Sequence, residues 1–440
     1  MSRKPVPVPG FPGVVPMQPR EVLSLDQIHL SEFGFWERPL EEREGAFLTL
    51  RRDRPISYYT EPEVPGLVTG PGYWSLTRHA DVLHVSRHPE IFSSGRGGVN
   101  IIDQPEDFGE FFGSMIVMDD PRHARLRRIV SKGFTPAMLR KVESNVETAA
   151  EKIIDDVIDK GACDFVTDIA AALPLKIICD MMGIPESDYR FVFDRTNIIL
   201  GAGDPEYVPD PLSVIPALLQ AGSDLSNLMQ DLARSRREKP TDDLTSALIH
   251  AEVDGERLTD MEVGSFFVLL VAAGNETTRN AISHGMKALC DYPEQKKLWM
   301  SDFDRVAPTA VEEIVRWASP VIHFRRTATC DTEISGQKIR EGEKVVMWYN
   351  SANRDESVIE EPFEFRVDRT PNEHVGFGGP GPHFCMGAHL ARREITVMFR
   401  QLFRRLPDLH LVAPPARLLS FFIHGIKRMP CEFTPRPARH

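Results

Sequence analysis

The sequence contains no apolar run long enough to cross a membrane. Its longest such stretch, residues 263–274, falls well short of the roughly 18 apolar residues that a membrane-spanning helix needs. Prolines at positions 5, 7, 9, 12 and 16 interrupt the region where a targeting signal would need a continuous apolar segment. The sequence therefore predicts no transmembrane anchor, a cytoplasmic protein and a flexible arm over residues 1–18.

Net positive charge and paired cysteines are also missing. The 52 Lys and Arg residues are outnumbered by 64 Asp and Glu, and the net charge of −12 argues against binding nucleic acid. The six cysteines form no Cys-x-x-Cys pair, which excludes a disulfide scaffold and indicates a reducing compartment. No glycine-rich dinucleotide motif and no cysteine cluster for a fused iron–sulfur domain is found. The length of 440 residues allows one large domain or two.

Helical periodicity dominates what is present. Strand signals at residues 56–60 and 73–77 predict a hairpin, and those at 327–334 and 344–349 predict a second small sheet. Residues 93–120 are rich in glycine and phenylalanine without a clear period, which is typical of a functional loop, here a candidate lid. A break at residues 201–211 separates two helical stretches.

The longest predicted helix begins after Thr259, which has capping-box spacing to Glu262, and ends at Asp291 before a Tyr-Pro pair. About 32 residues at ~1.5 Å each give roughly 48 Å, so this helix must cross the middle of the protein. Residues 273–278 nevertheless place a glycine, a carboxylate and two hydroxyls at its centre. They indicate either a functional site or, alternatively, a solvent-facing turn or a glycine-weakened helix in which a threonine hydroxyl bonds back to a carbonyl.

The glycine-rich loop 376–387 contains Cys385 and leads directly into an amphipathic helix. Glycines let the backbone pass close to a bulky partner, and amide N–H groups and the helix dipole favour a thiolate just before a helix. A lone cysteine is often only a small buried apolar residue. In this loop, however, the pattern indicates that Cys385 is an axial ligand of haem iron.

Within this loop Gly381, His383 and Gly387 are spaced around Cys385, and three further motifs accompany it between residues 118 and 390. They are Glu313 and Arg316 in a Glu-x-x-Arg motif, residues 273–278 of the long helix, and His123 and Arg127 in a His-x-x-x-Arg motif. With these motifs the sequence resembles the cytochrome P450 superfamily of haem-thiolate monooxygenases. One departure is that Phe377 lies eight residues before Cys385, where the family usually has seven, so the side chain that packs beside the sulfur stays open.

The resemblance implies the fold of that family, mainly α-helical with small β-sheets. The haem is expected between the long central helix and the helix that follows the cysteine loop. The implied cofactor is haem b, iron protoporphyrin IX, with the Cys385 thiolate as metal ligand. A single domain is expected over residues 19–440, because motifs from both halves of the chain serve one haem.

The resemblance also implies roles for particular side chains around the haem. Thr277 and Glu276 are expected to be catalytic, as a hydrogen-bonding hydroxyl and a proton relay, and Gly274 to open space for oxygen. The expected propionate-binding residues, for which Arg and His are suited, are His123, Arg127, Arg326 and His383. The expected structural pair, bonded to the region of Arg369 or His374, is Glu313 with Arg316.

Residues 274–280, 352–356 and 424–427 resemble the mycobacterial lipid-hydroxylating branch of the superfamily. That branch acts on methyl-branched fatty chains, isoprenoids and sterol side chains, which implies insertion of one oxygen atom from O2 into a C–H bond of a long apolar substrate. The expected pocket residues are apolar. They are Phe108, Phe111, Phe112, Met115, Ile116, Val271, Ala272, Val321, Ile322, Phe421, Phe422 and Ile423.

Electrons are expected from separate partners, a ferredoxin and its reductase, and the chain is expected to be a monomer. Basic residues after the cysteine loop are a candidate docking face for an acidic ferredoxin, although a solvated helix face is the alternative. They are Arg392, Arg393, Arg400, Arg404 and Arg405. Three other functions stay open: a peroxide-using or isomerising haem-thiolate enzyme, a haem-containing lipid carrier or sensor, and a non-haem cysteine enzyme.

Overall fold

The computed structural model describes residues 16–103, 108–133, 136–252 and 255–438. Residues 1–15 of the predicted arm and 104–107 of the predicted lid lie outside the described residues. The described helices are α1 (Phe33–Trp36), α2 (Leu40–Asp53), α3 (His79–Arg87), α4 (Gly109–Phe112), α5 (Arg122–Gly133), α6 (Pro136–Asp155), α7 (Ala172–Met182), α8 (Tyr189–Gly201), α9 (Val214–Glu238), α10 (Leu244–His250), α11 (Asp260–Asp291), α12 (Pro293–Ser301), α13 (Phe303–Ala318), α14 (Tyr349–Ala352) and α15 (Ala388–Arg405).

The strands are short and form small sheets. They are β1 (Ile56–Tyr59), β2 (Tyr73–Leu76), β3 (Phe92–Ser93), β4 (Ala162–Asp164), β5 (His323–Ala328), β6 (Thr332–Ile334), β7 (Gln337–Ile339), β8 (Lys344–Trp348), β9 (His410–Leu411), β10 (Ala416–Arg417), β11 (Ile426–Arg428) and β12 (Pro430–Glu432). The described sheets have the orders β1-β2-β8-β5-β3, β4-β12-β9, β10-β11 and β6-β7. The predicted class, mainly α with small sheets, is therefore confirmed.

The predicted hairpin is confirmed, but the second sheet is not a separate one. β1 and β2 pair antiparallel with Ile56 opposite Leu76. β8 pairs parallel with β2 on one side and antiparallel with β5 on the other, so residues 327–328 and 344–348 of the predicted second sheet join the hairpin in one five-stranded sheet. Residues 332–334 form β6, which pairs with β7 in a separate two-stranded sheet. Every residue of β8 is buried, as expected for a central strand with both faces covered.

The predicted central helix has the expected bounds. The Thr259 hydroxyl accepts from the Glu262 N–H at 3.2 Å, and the Glu262 carboxylate accepts from the Thr259 N–H at 2.9 Å, which completes the capping box. The helix runs 32 residues to Asp291, where a Tyr-Pro pair ends it. It contacts α7, α8, α9, α13 and α15, so its central residues lie deep in the main apolar core.

Two predicted breaks flank this helical body. The candidate lid contains β3, α4 and a 3-10 turn at Met115–Val117. The second break lies between α8 and α9, where Asp204 accepts from the Leu419 N–H at 2.9 Å and from Lys427 Nζ at 2.7 Å. Within the described ranges, no helix combines the length and apolar character needed to span a bilayer.

Candidate active site

Cys385 lies in the last turn of the glycine-rich loop, three residues before α15 begins. Its N–H donates to the Phe377 carbonyl at 3.0 Å, and its exposed surface faces an internal cavity. Burial raises the pKa of the Cys385 thiol, while the N–H groups of Gly387 and Ala388 act in the opposite direction. The loop therefore presents one sulfur to the cavity together with backbone donors that stabilise a thiolate.

The cavity lies between the cysteine loop and one face of α11, and its volume is about 480 Å³. This is within the range of about 300–1,000 Å³ that is usual for ligand pockets. Its lining on the α11 side follows helical spacing, because residues three or four apart share a face. These residues are Phe266, Leu269, Leu270, Ala273, Gly274, Thr277, Thr278 and Ala281.

One end of the cavity is basic and brings together all four predicted propionate-binding residues. The His123 and His383 rings lie 4.2 Å apart, and Arg127 and Arg326 line the same cavity. Burial and the charges of Arg326, His123 and Arg127 lower the pKa of His383 to about 3. Burial also lowers the pKa of the Arg326 guanidinium. Two guanidinium cations, Arg127 and Arg326, at one end of the cavity favour an anionic ligand.

The hydrogen bonds of these side chains leave donors available. His123 Nδ1 lies 3.3 Å from Asp120 Oδ1, but its Nε2 is buried without a partner in the described structure. Arg127 Nη2 donates to the Phe384 carbonyl at 2.8 Å, and Arg326 Nη1 to the Arg325 carbonyl at 2.8 Å. An unpaired buried polar atom is costly, so the His123 Nε2 position indicates a ligand that completes its hydrogen bond.

Thr277 faces the cavity, whereas Glu276 does not line it. The Thr277 hydroxyl donates to the Ala273 carbonyl at 2.5 Å, as the simpler interpretation of this segment predicted, and this bond fixes the side chain with its oxygen towards the cavity. Glu276 is buried against Arg279 and accepts from Asn280 Nδ2 at 3.0 Å, with one carboxylate oxygen unpaired. The structure therefore brings Thr277, but not Glu276, together with Cys385.

Comparisons with known proteins agree with this arrangement. The family model described as "Cytochrome P450" matches residues 209–409. A methyl-branched lipid omega-hydroxylase of Mycobacterium tuberculosis is 53% identical over 420 residues, which cover 94% of this chain and 96% of the relative. The chain belongs to the cytochrome P450 family. A steroid C26-monooxygenase of Mycolicibacterium smegmatis is 40% identical, covering 90% of this chain and 91% of the relative.

Solved structures place the chain in the same family. A Mycobacterium marinum cytochrome P450 in complex with pseudoionone has a TM-score of 0.87 and 44% identity, and the match covers 94% of this chain and all of that one. A Bacillus megaterium cytochrome P450 in complex with corticosterone has a TM-score of 0.77 and 28% identity, and the match covers 92% of this chain and all of that one. The cytochrome P450 fold and monooxygenase class predicted from the sequence are thus confirmed, and the family implies a haem-thiolate cofactor.

The residues of this cytochrome P450 fit haem b. Cys385 offers a single sulfur at the cavity wall, which is the ligand type of this haem class. The unpaired Nε2 of His123 and the neighbouring guanidinium groups are donors suited to two carboxylates. The apolar face of α11 lies across the cavity from these groups.

Gly274 has a packing role in this cytochrome P450. A Cβ at this position would lie 2.2 Å from Cδ1 of Ile178 on α7, so a side chain here would have to displace the end of the Ile178 side chain. Gly274 also lines the cavity. The sequence predicted that Gly274 lies at the site but did not predict its close approach to α7.

Glu313 and Arg316 form a fully buried pair on α13. Arg316 Nε and Nη2 donate to the two Glu313 oxygens at 2.7 and 2.8 Å. Arg369 Nε and Asn372 Nδ2 donate to the same carboxylate at 3.0 and 3.1 Å, as expected of the Arg369 region. His374, the other predicted contact, bonds instead to Glu312. Arg316 Nη1 also donates to the carbonyls of Asn353 and Pro362, so the network connects α13 to the chain segment before the cysteine loop.

Three of the predicted substrate-pocket residues, Met115, Ile116 and Val321, line the cavity, and the other described residues of that set do not. On α11, Ala272 is buried and lies one residue step, about 100°, from Ala273, whereas Val271 lies two helical turns before Thr278, at the edge of the face that lines the cavity. The remaining residues of the set lie in neighbouring apolar packing. They are Phe108, Phe111 and Phe112 by α4, and Ile322, Phe421, Phe422 and Ile423 beside the five-stranded sheet.

Several lining residues were missed by the sequence reasoning. Counting back from Thr277 in helical steps gives Ala273, Leu270 and Phe266, so the periodicity contained this signal. Phe324 and Tyr349 come from β5 and α14, and no local pattern marks them.

Glu394 was also missed. It lines the cavity nine residues after Cys385, is 1% exposed, and burial raises its pKa to about 8. Its Oε2 has no partner among the described residues. A carboxyl group that is protonated near neutral pH is therefore available beside the site.

The candidate basic face is mostly neutralised within the chain. Four of its five arginines form ion pairs, and Arg404 is exposed. The pairs are Arg392 with Glu312, Arg393 with Glu147, Arg400 with Asp304 and Arg405 with Asp155. This surface of α15 therefore carries mostly paired charges, which leaves fewer unpaired cations for binding an acidic ferredoxin.

Proposed function

We propose that this chain is a haem b monooxygenase that hydroxylates a C–H bond of a long, methyl-branched lipid or sterol side chain. The observation that carries the proposal is the placement of Cys385, alone among the six cysteines, on a cavity whose opposite wall is an apolar helix face with Thr277 at its centre. The names of the relatives, a methyl-branched lipid omega-hydroxylase and a steroid C26-monooxygenase, support the substrate class.

Cys385 would hold the haem iron, and His123, Arg127, Arg326 and His383 would hold the propionates. When bound, haem supplies the oxygen-activating and C–H-oxidising chemistry, while the protein supplies binding, orientation and electrostatics. The basic end of the cavity fixes which edge of the cofactor faces it. Arg127 is anchored on the Phe384 carbonyl, so its position is coupled to that of the cysteine loop.

Thr277 and Glu276 would control protons. The Thr277 hydroxyl proton is held by the Ala273 carbonyl, which leaves the Thr277 oxygen as an acceptor facing the cavity. Glu276 delivers protons only if its carboxylate leaves Arg279, because in the present pairing it does not line the cavity. Asn280 and Arg279 therefore control the availability of the proton relay.

The substrate would bind against the α11 face and Val321. Phe266, Leu269 and Leu270 provide apolar surface, and Ala273 provides a small side chain beside Thr277. Such a wall selects substrates by shape and hydrophobicity, because it offers few polar anchors. Electrons would come from a separate ferredoxin and its reductase.

A titration of the purified holoprotein tests the substrate class. Branched fatty acids, sterols and terpenoid alcohols are added while the haem spin state is followed, and products formed with NADH, ferredoxin and reductase are identified. We expect tight binding and hydroxylation of long branched chains or sterol side chains. Conversion of compact aromatic compounds alone would contradict the substrate class, and product formation without O2 would contradict the monooxygenase reaction.

A further inference from the structure

A cluster of four side chains, Arg392, Glu312, His374 and Phe377, joins the cysteine loop to α13 and α15. Arg392, on the first turns of α15, forms a two-pronged bond to Glu312 of α13, with distances of 2.5 and 2.8 Å. The Arg392 guanidinium carbon lies 4.3 Å from the centroid of the Phe377 ring. A guanidinium this close to an aromatic face is attracted by the ring quadrupole.

His374 fixes the other side of Glu312. Its Nδ1 accepts from the Gly376 N–H at 3.1 Å, so its proton lies on Nε2, which donates to Glu312 Oε2 at 2.9 Å. Burial acts to raise the pKa of Glu312, but the bonds from Arg392 and His374 outweigh it and lower the pKa to about 2. Glu312 is thus a permanent anion that holds Arg392 in one place.

The held cation lies close to the cysteine ligand. The Phe377 carbonyl accepts the Cys385 N–H at 3.0 Å, so the ring beneath Arg392 belongs to the residue that anchors the Cys385 backbone. The positive charges of Arg127 and Arg392 both act on the Cys385 sulfur. The Phe377 ring packs between Arg392 and Phe384 within the cysteine loop.

We propose that Arg392 is a positioning residue that raises the reduction potential of the haem by holding a positive charge behind the Cys385 thiolate. The inference rests on the proposed haem-thiolate function. Reduction adds one negative charge to the iron–thiolate unit, and a nearby cation stabilises the added charge. Arg392, but not its partner Glu312, is among the charges that act on the Cys385 sulfur, so Glu312 offsets the effect only in part.

Midpoint potentials of the ferric–ferrous couple in purified holoprotein test this. Arg392→Gln should change the ferrous-to-ferric ratio at a fixed potential by roughly tenfold, which is about 59 mV towards negative values for one electron. Arg392→Lys keeps the charge and should stay near the wild type. Arg400→Gln is the matched control, because Arg400 on the same helix also pairs with a carboxylate, Asp304, and lies 5.0 Å from an aromatic ring, Phe303, but away from the cysteine loop.

The Glu312→Gln variant distinguishes an electrostatic role of Arg392 from a packing role. It removes the opposing anion and should move the potential in the positive direction, which a purely structural role would not do. An unchanged potential in Arg392→Gln, or shifts of the same sign in both variants, would overturn the proposal. If Arg392→Gln does not incorporate haem, the sign of the Glu312→Gln shift decides alone. The carbon monoxide spectrum of the wild type reports thiolate ligation separately, so failure of the proposed function is distinguished from failure of this inference.

Discussion

Replacement of Glu313 by glutamine should destabilise the protein strongly, although it removes only one charge. The Glu313 carboxylate accepts five hydrogen bonds, two from Arg316 and one each from Arg369, Asn372 and the Arg366 N–H, the last at 2.9 Å. Both Glu313 and Arg316 are 0% exposed. In Glu313→Gln two buried guanidinium groups lose their counter-ion, and an amide N–H2 faces their N–H donors.

Breaking such a buried pair costs about 3–5 kcal/mol. At an unfolding entropy of about 2.1 cal/mol/K per residue, 440 residues give a fall in Tm of about 1 °C per kcal/mol, so we expect Tm to drop by about 3–5 °C. Thermal unfolding of the holoprotein measures this. Glu294→Gln is the matched control, since Glu294 pairs with Lys297 at the same i,i+3 spacing but is exposed, and its Tm should stay unchanged. Equal Tm values for wild type and Glu313→Gln would refute the structural role of the network.

Three further predictions follow from the site and the core. Thr277→Ala should lower the amount of product formed per NADH by about tenfold and release hydrogen peroxide, because control of protons at the cavity is lost. Thr278→Ala should keep the wild-type ratio of product to NADH. A wild-type ratio in Thr277→Ala would contradict the role of Thr277. Ala273→Leu should weaken substrate binding by about tenfold in a spin-state titration. Ala272→Leu, which does not line the cavity, should lower stability without changing substrate affinity. Weaker substrate binding in Ala272→Leu but not in Ala273→Leu would contradict the assigned lining. Burial lowers the pKa of His323 to about 4, so below pH 6.5 only the unfolded state takes up a proton at this residue, and its contribution to stability falls by up to about 1.4 kcal/mol per pH unit until pH 4. Other buried histidines such as His383 act in the same direction, so urea unfolding of His323→Phe should show a slope shallower by this amount between pH 6.5 and 4, and an unchanged slope would contradict the assignment to His323.

Local signals in the sequence predicted the features that depend on neighbouring residues. The capping box at Thr259 and the Tyr-Pro stop gave both ends of α11, and the glycine-rich loop gave the position of Cys385. Motif spacing also grouped His123, Arg127 and His383, because each belongs to a short pattern of the family, and the family resemblance added Arg326 by its position.

Features that depend on tertiary packing were not predictable in this way. Which face of α11 meets the cavity depends on the rotation of the helix about its axis, which Thr277 supplies, but Val271 and Ala272 were chosen without it. The pairing of β8 with β2 joins segments about 270 residues apart, which no local pattern encodes. The bonds of Glu312, rather than Glu313, to His374 likewise depend on how α13 is rotated against the chain before the cysteine loop.

Ligation of haem iron by Cys385 is tested most directly by the absorption spectrum of the reduced, carbon monoxide-bound protein. We expect a Soret band displaced far to the red of that of ordinary haem proteins, and loss of this displacement in Cys385→His with haem still bound. A wild-type spectrum without the red-displaced band, at full haem content, would contradict thiolate ligation by Cys385.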